Sequence, residues 1–489
     1  NTYSGATAIN AGTVVITHNN GLGSTAGNTT IASGATLDLQ NTTAVAEALS
    51  IDGGTLTTSL GTSLISGNIA LTAESTIAVA GTQLTISGQI SGSNGITKTG
   101  AGSLILTGSN TYSGDTTINA GTLVLTGSLA TSTDVVMANN AIWNLQAAQT
   151  IASLTMASGN SITNTAGTSS LTVTGTSTLA NSITTSGNQT YSGAVTLAAN
   201  AVLTTSNSNV LFSDAITGSG KNLTIASGNG TITLAAVGAT GTSIGNLILN
   251  SAGVTTLGGA IYAASVETDS SGTGVGSIAI NGGIVHTSGA QTYREGMTLG
   301  AATILTGTTI TSQAALNGAT RNLTITGNAV FGNTITNVAT LAVSGTTSIN
   351  ANITTSGNQT YSGAVTIETG VDARTLSAGA GTITTQSTLN GGARGLTITA
   401  ANFSVGGDLS NITNLNVNGD AVLRGNITTS AFQSYTGAVT LGANTTLIGS
   451  TITAQDALNG GTHNLTITGN AVFGAAITNV AAISVSGTT

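Results

Sequence analysis

TTSGNQTYSGAVTL, from Thr184 to Leu197, returns almost unchanged as TTSGNQTYSGAVTI from Thr354 to Ile367. Looser copies stand at Thr287 to Leu299, TSGAQTYREGMTL, and at Thr428 to Leu441, TTSAFQSYTGAVTL. Their tyrosines are Tyr191, Tyr293, Tyr361 and Tyr435, and the last three are almost evenly spaced. A second marker, ALNGATRNLTITGNAVFG at Ala315 to Gly332, recurs as ALNGGTHNLTITGNAVFG at Ala457 to Gly474, with a degenerate copy at Leu389 to Ala400. The offset from Ala315 to Ala457 equals that from Tyr293 to Tyr435, so both markers belong to one repeat of roughly 70 residues. Self-similarity at a fixed period reads as a solenoid or an array, not as independent domains.

Within one repeat the apolar pieces are short: Ala194 to Leu197, Val210 to Phe212, Leu223 to Ile225, Ile232 to Leu234 and Leu247 to Leu249, each bounded by Gly, Asn or Ser. Alternation between turn residues predicts strands, at a spacing that suits coils of roughly 18 to 26 residues and three coils per repeat. The expected fold is all-β, a parallel β-helix (β-solenoid) of roughly 20 or more coils. Residues 1–180 form one repeat region and 181–489 an array of the longer repeats continuing the same solenoid.

Composition agrees. Hydrophobic residues make up 39% of the chain, too many for a solvating disordered tail. Aromatics make up 3% with a single tryptophan, Trp143, too few for tandem sandwich cores, whereas a narrow bore needs only Val, Ile, Leu and Ala. Outward Thr and Asn are expected to line up in hydrogen-bonded ladders. The net charge of -8 has no basic stripe, which argues against nucleic acid as a partner. No apolar run long enough to span a bilayer occurs, so no membrane insertion is expected in this segment. The absence of cysteine removes disulfides, thiolate nucleophiles and the usual zinc frameworks.

Gly100 to Leu125, GAGSLILTGSNTYSGDTTINAGTLVL, closely resembles the autotransporter-associated β-strand repeat of type V secreted and haemagglutinin-like bacterial surface proteins. The matching positions are Gly100 and Gly102, Leu104 and Leu106, Asn110, Thr111, Tyr112 and Gly114, then Gly121, Thr122 and Leu123. Asn1 to Val15, NTYSGATAINAGTVV, resembles the second half of another copy. The resemblance implies that the β-solenoid is a right-handed parallel β-helix, a passenger region secreted or at the surface of a Gram-negative bacterium. The chain starts and stops inside repeats and is expected to be a window on a longer protein.

Candidate chemistry is sparse. His18, His286 and His463 are far apart, and His463 replaces Arg321 at the equivalent repeat position, as exposed residues do. Glu267 with Asp269, Glu368 with Asp372 and Arg374, and Asp420 with Arg424 read as turn charges, not acid and base pairs. Gly53-Gly54 and Gly391-Gly392 lack the aspartate of a calcium-binding nonapeptide and read as turns with positive φ. No catalytic, cofactor-binding or metal residue is nominated. The repeat-signature positions are structural: Tyr3, Tyr112, Tyr191, Tyr293, Tyr361 and Tyr435, with Gly114, Gly193, Gly363 and Gly437 two residues beyond four of them. The tyrosines are expected to pack at repeat corners instead of contacting a ligand.

The expected function is a non-enzymatic extracellular structural and adhesive shaft of a bacterial surface protein. A self-assembling filament, sheath or surface-layer subunit is the alternative, and a polysaccharide-cleaving β-helix ranks third. The partners expected are like chains, end to end or side by side, and a host or neighbouring-cell surface ligand.

Overall fold

Alternating Thr and aliphatic side chains favour extended backbone, because β-branched groups pack well on a pleated surface. The computed structural model describes residues 1–270, 272, 275–370 and 372–489, and among these every regular element is a β-strand. The fold is the expected parallel β-solenoid, with about 24 turns. Strand Leu323–Phe331, LTITGNAVF, shows how residues choose sides: Leu323, Ile325, Ala329 and Phe331 are buried and those between them are not. Two compact units make up the chain, Asn1–Gly253 and Val254–Thr489.

In the first unit, Thr7–Ile9, Asn28–Ala32, Ala48–Asp52, Ile69–Ala73 and Ile90–Gly92 pair in parallel as one sheet. Another register column stacks Leu84, Leu104, Leu123, Trp143, Ile162, Ile183, Leu203, Ile225 and Leu249, one per coil. All nine are buried. Each such Leu or Ile contributes about 1.5–3 kcal/mol, and each coil depends on its neighbours for that burial. Trp143 fills one level of this stack, with its indole Nε1 buried and unpartnered.

The corners carry the expected asparagine ladders, in a form that the strand pattern did not specify. Asn188 Oδ1 accepts from Asn209 N at 3.0 Å, and Asn209 Oδ1 from Thr231 N at 2.8 Å. Asn200 does the same for Asn222, and Asn222 for Asn246. An amide oxygen on one coil thus caps a turn N–H on the next that the strand ladder leaves free.

Three register columns define the faces of the second unit. One runs Gln291, Ile310, Ala329, Thr347, Val365, Leu389, Leu409. The next runs Val285, Leu305, Ile325, Val343, Tyr361, Thr385. The third runs Met297, Leu316, Ile335, Ile353, Leu376, Ile398, Val417, Tyr435. Tyr293 belongs to the first face, Tyr361 to the second and Tyr435 to the third.

The repeat is therefore not the expected three coils. Each copy advances three coils and two of the three faces, so equivalent residues shift by one face per copy. The physical reason is that pairing needs only a whole number of strands between copies, not a whole number of coils. Along the first face, the step from Val365 to Leu389 is longer than the steps on either side, Thr347 to Val365 and Leu389 to Leu409. Those additional residues are why Tyr361 and Tyr435 stand farther apart than Tyr293 and Tyr361. Arg394 holds the resulting loop: its guanidinium donates to the carbonyls of Glu368, Thr369 and Asp372.

Candidate functional site

A tyrosine two residues beyond a glutamine puts both side chains on the same, inward face of a strand. Tyr191, Tyr293, Tyr361 and Tyr435 are all fully buried, and their hydroxyls donate to Gln189, Gln291, Gln359 and Gln433 at 3.2, 2.8, 3.0 and 2.9 Å. Each glutamine Nε2 donates to the carbonyl six residues earlier, to the threonine hydroxyl four residues earlier and to a carbonyl on the next coil. For Gln291 these acceptors are Val285 O at 3.0 Å, Thr287 Oγ1 at 3.3 Å and Thr306 O at 2.8 Å. Carbonyls only accept, so the amide must turn its NH2 to them and its oxygen to the phenol. Burial pushes all four phenols far above their ordinary range.

The tyrosines are thus core residues, and the polar chemistry of the motif is spent inside the bore. Gln189, Gln291, Gln359 and Gln433, with Thr185, Thr287, Thr355 and Thr429, were missed as members of the station. The signal was present: every copy keeps Thr four residues before Gln and Gln two residues before Tyr. Tyr112 solves the same problem differently, bonding Thr116 Oγ1 at 2.7 Å, and Tyr3 bonds Thr7 Oγ1 at 2.8 Å. Tyr3 is the exception in burial, at 42% exposed.

The glycines beside the tyrosines are required by close approach, not by φ. A Cβ on Gly114, Gly193, Gly363 or Gly437 would lie 2.3, 2.6, 2.4 or 2.5 Å from backbone atoms of the preceding coil. Of the two Gly-Gly pairs, Gly53 and Gly392 have the expected positive φ, 71° and 63°. Their partners Gly54 and Gly391 leave room for Ile31 and Ile412 instead.

The copy at Tyr293 puts Glu295 where the others have glycine. The Glu295 carboxylate is fully buried without a hydrogen-bond partner. Burial raises its pKa from 4.5 to about 7, with the nearby Thr268 hydroxyl opposing the shift and Asp269 adding to it. Next to it in the chain, Arg294 Nη1 pairs with Glu267 Oε1 at 2.5 Å.

Of the remaining charged candidates, Arg374 Nη1 donates to the carbonyls of Asp372 and Ala373 at 3.4 and 3.3 Å, and the three histidines do not converge. His18 and His286 are exposed, and His463 is half-buried. His286 packs against Tyr262, with ring centroids 5.7 Å apart. Glu368 accepts from the Ser348 hydroxyl, Asp420 caps Ala438 N at 2.9 Å, and Arg424 donates to Ser404 Oγ at 3.0 Å. Among the described residues no three His, Cys, Asp or Glu side chains are placed to hold a metal ion.

The second marker builds a surface feature that its strand pattern does not announce. Asn317, Asn390 and Asn459 each accept a turn N–H at 3.0 Å, from Ala319, Gly392 and Gly461. Each also accepts from an asparagine on the next coil: Asn337 at 3.2 Å, Asn411 at 3.0 Å and Asn479 at 3.3 Å. The three donors have φ of 55°, 56° and 52°. Thr320 and Thr462, at φ 64° and 69°, are β-branched residues in a region such residues rarely enter. Two of these corners enclose recesses. One, of about 180 Å³, is lined by Thr320, Asn337, Thr354, Thr355 and Ser356. The other, of about 270 Å³, is lined by the equivalent Ala393, Asn411, Thr428, Thr429 and Ser430, with Ile412.

Lys98 is buried and donates from Nζ to the carbonyls of Thr99, Gly100 and Ala120 at 3.0, 2.8 and 3.0 Å. Burial lowers its pKa to about 8. Lys98 precedes the stretch whose resemblance the sequence showed, yet it lies within the matched segment. Residues 1–16 and 96–125 match the family model of the passenger-associated-transport-repeat. No curated protein and no solved structure matches the chain. The chain is thus a parallel β-solenoid that carries passenger-associated transport repeats at 1–16 and 96–125, which fits an autotransporter passenger region.

Proposed function

We propose that this chain is a non-enzymatic structural and adhesive shaft, displayed outside a Gram-negative cell, that presents a long repetitive β-solenoid surface. The observation that carries the reading is the stacking of transport-repeat segments as ordinary coils of a parallel solenoid. A solenoid gains stability coil by coil and keeps its outer faces available for contact along its length. The non-enzymatic part of the reading is supported by the placement of the candidate groups: Tyr191, Tyr293, Tyr361 and Tyr435 are bonded inside the bore, Asp420 caps a turn N–H, and Arg424 bonds the Ser404 hydroxyl on the neighbouring coil.

Protease treatment of intact producing cells tests the display. Cleavage of the chain on intact cells is the expected result. Protection on intact cells, with cleavage only after permeabilisation, would overturn it.

A further inference from the structure

We propose that the recesses beside Asn337 and Asn411 are two copies of one subsite for a single neutral sugar ring. The inference deepens the adhesive reading above and rests on it for its biological setting, but the binding itself is a property of the folded chain. Volumes of about 180 and 270 Å³ correspond to roughly six to nine water molecules at about 30 Å³ each, the scale of one small ring.

The lining chemistry narrows the class. The hydroxyls of Thr354 and Ser356, and of Thr428 and Ser430, have no hydrogen-bond partner within the described chain, so they face the recess or solvent. Asn337 and Asn411 have their Nδ2 groups committed to Asn317 and Asn390, which leaves each Oδ1 as an oriented acceptor. No charged side chain lines either recess. A ligand bound here must offer several hydroxyls and no net charge, since a charge would lose its hydration without a partner. Threonine methyls and Ile412 supply the apolar part that a sugar's C–H face needs. The Asn411 recess is the larger of the two and has Ile412 in its lining, which the Asn337 recess lacks. The Asn411 subsite is therefore expected to bind more tightly.

The geometry of the repeat sets the valency. Asn337 lies on the face of Ile335 and Ile353, whereas Asn411 lies on the face of Leu409 and Ile427. With about 4.8 Å per coil, three coils and two faces separate them by roughly 18 Å along the axis. Two subsites on different faces bind independently and do not grip one flat surface together.

Titration of the purified chain with methyl glycosides of glucose, galactose, mannose and N-acetylglucosamine, followed by calorimetry and saturation-transfer NMR, tests this. The expected result is binding of at least one probe with two sites and Kd of about 1–10 mM, the weak affinity of a single exposed ring. Ser356→Gln and Ser430→Gln fill the recesses from exposed positions. Each should halve the stoichiometry, and the pair should abolish binding with circular dichroism and melting unchanged. If the pair perturbs folding, Thr354→Gln with Thr428→Gln repeats the test from the neighbouring positions. No binding of any probe by the unmodified chain at about 20 mM, or binding unaltered in folded double variants, overturns the proposal. Sugar binding by a chain that protease shaving shows to be intracellular would keep the subsites and remove the surface reading.

Discussion

Gln359 makes bonds that a leucine could not: to the carbonyls of Ile353 and Ser377, the Thr355 hydroxyl and the Tyr361 phenol. Tyr361→Phe removes one bond and should cost about 1 kcal/mol, whereas Gln359→Leu leaves buried carbonyls and a phenol unpaired and should cost about 2–4 kcal/mol. Amide hydrogen exchange across Ile353 to Ser377 would show the difference locally. Glu295 gives a pH dependence of defined sign. Its pKa is raised in the folded chain, from 4.5 to about 7, so the proton stabilises the fold. Stability should be greatest below pH 4.5, fall as pH rises from 4.5 to about 7, and level off above. Glu295→Gly restores the residue found in the other copies. The unfolding free energy of that variant, read from denaturant titrations, should lose the decline and exceed the parent's at pH 8 by about 2 kcal/mol.

At the scale of the element, each coil is held by the match of its backbone to the coil before it. Gly363→Ala would push a methyl to 2.4 Å from Gly345 O, which neither strand can yield without breaking its ladder. A loss of about 2–4 kcal/mol is expected, read as faster exchange in the coils on both sides. Glu368, Thr369 and Asp372 respond differently, because the Arg394 guanidinium bonds the carbonyls of all three, with Arg374 adding a longer bond to Asp372 O. Arg394→Ala should leave the solenoid folded while limited proteolysis begins to cut near Glu368. Unchanged resistance to cutting would show that the guanidinium is not what holds the loop. Such a loop can be lengthened at a corner with little effect on pairing, which is how copies of unequal length share one fold.

For the whole molecule, the repeat of three coils and two faces has a consequence that a globular core would not permit. Removing residues 291–358 joins Ala290 to Gln359, a residue of the same kind as Gln291, and deletes a whole number of strands. The shortened chain should fold with the same circular dichroism per residue and nearly the same melting temperature, since nearest-neighbour coils are preserved. Removing 291–324 instead cuts through strand Leu323–Phe331 and should give a large loss of stability. Surface features beyond the full-repeat deletion would sit one face around from their original position, so the order of binding faces along the solenoid can be reprogrammed by repeat number.

The strands, their alternation and the parallel solenoid were legible because they depend on local pattern: Thr and aliphatic residues in turn, bounded by Gly, Asn or Ser, with the same signature returning in every copy. TTSGNQTYSGAVTL already contained the threonine and glutamine of the buried network, but nothing in a single copy says that Gln189 bonds the carbonyl of Thr204 one coil away. The same holds for Lys98, whose third acceptor, Ala120, is on the next coil, and for Glu295, whose burial follows from occupying a glycine's place. The recesses likewise join residues from consecutive coils. Sequence by itself determined what each residue prefers and which face of its strand it takes. Only the tertiary structure decided how many strands make a coil, and hence which residues stand above one another, because that number is set by stacking between coils and not by any local propensity.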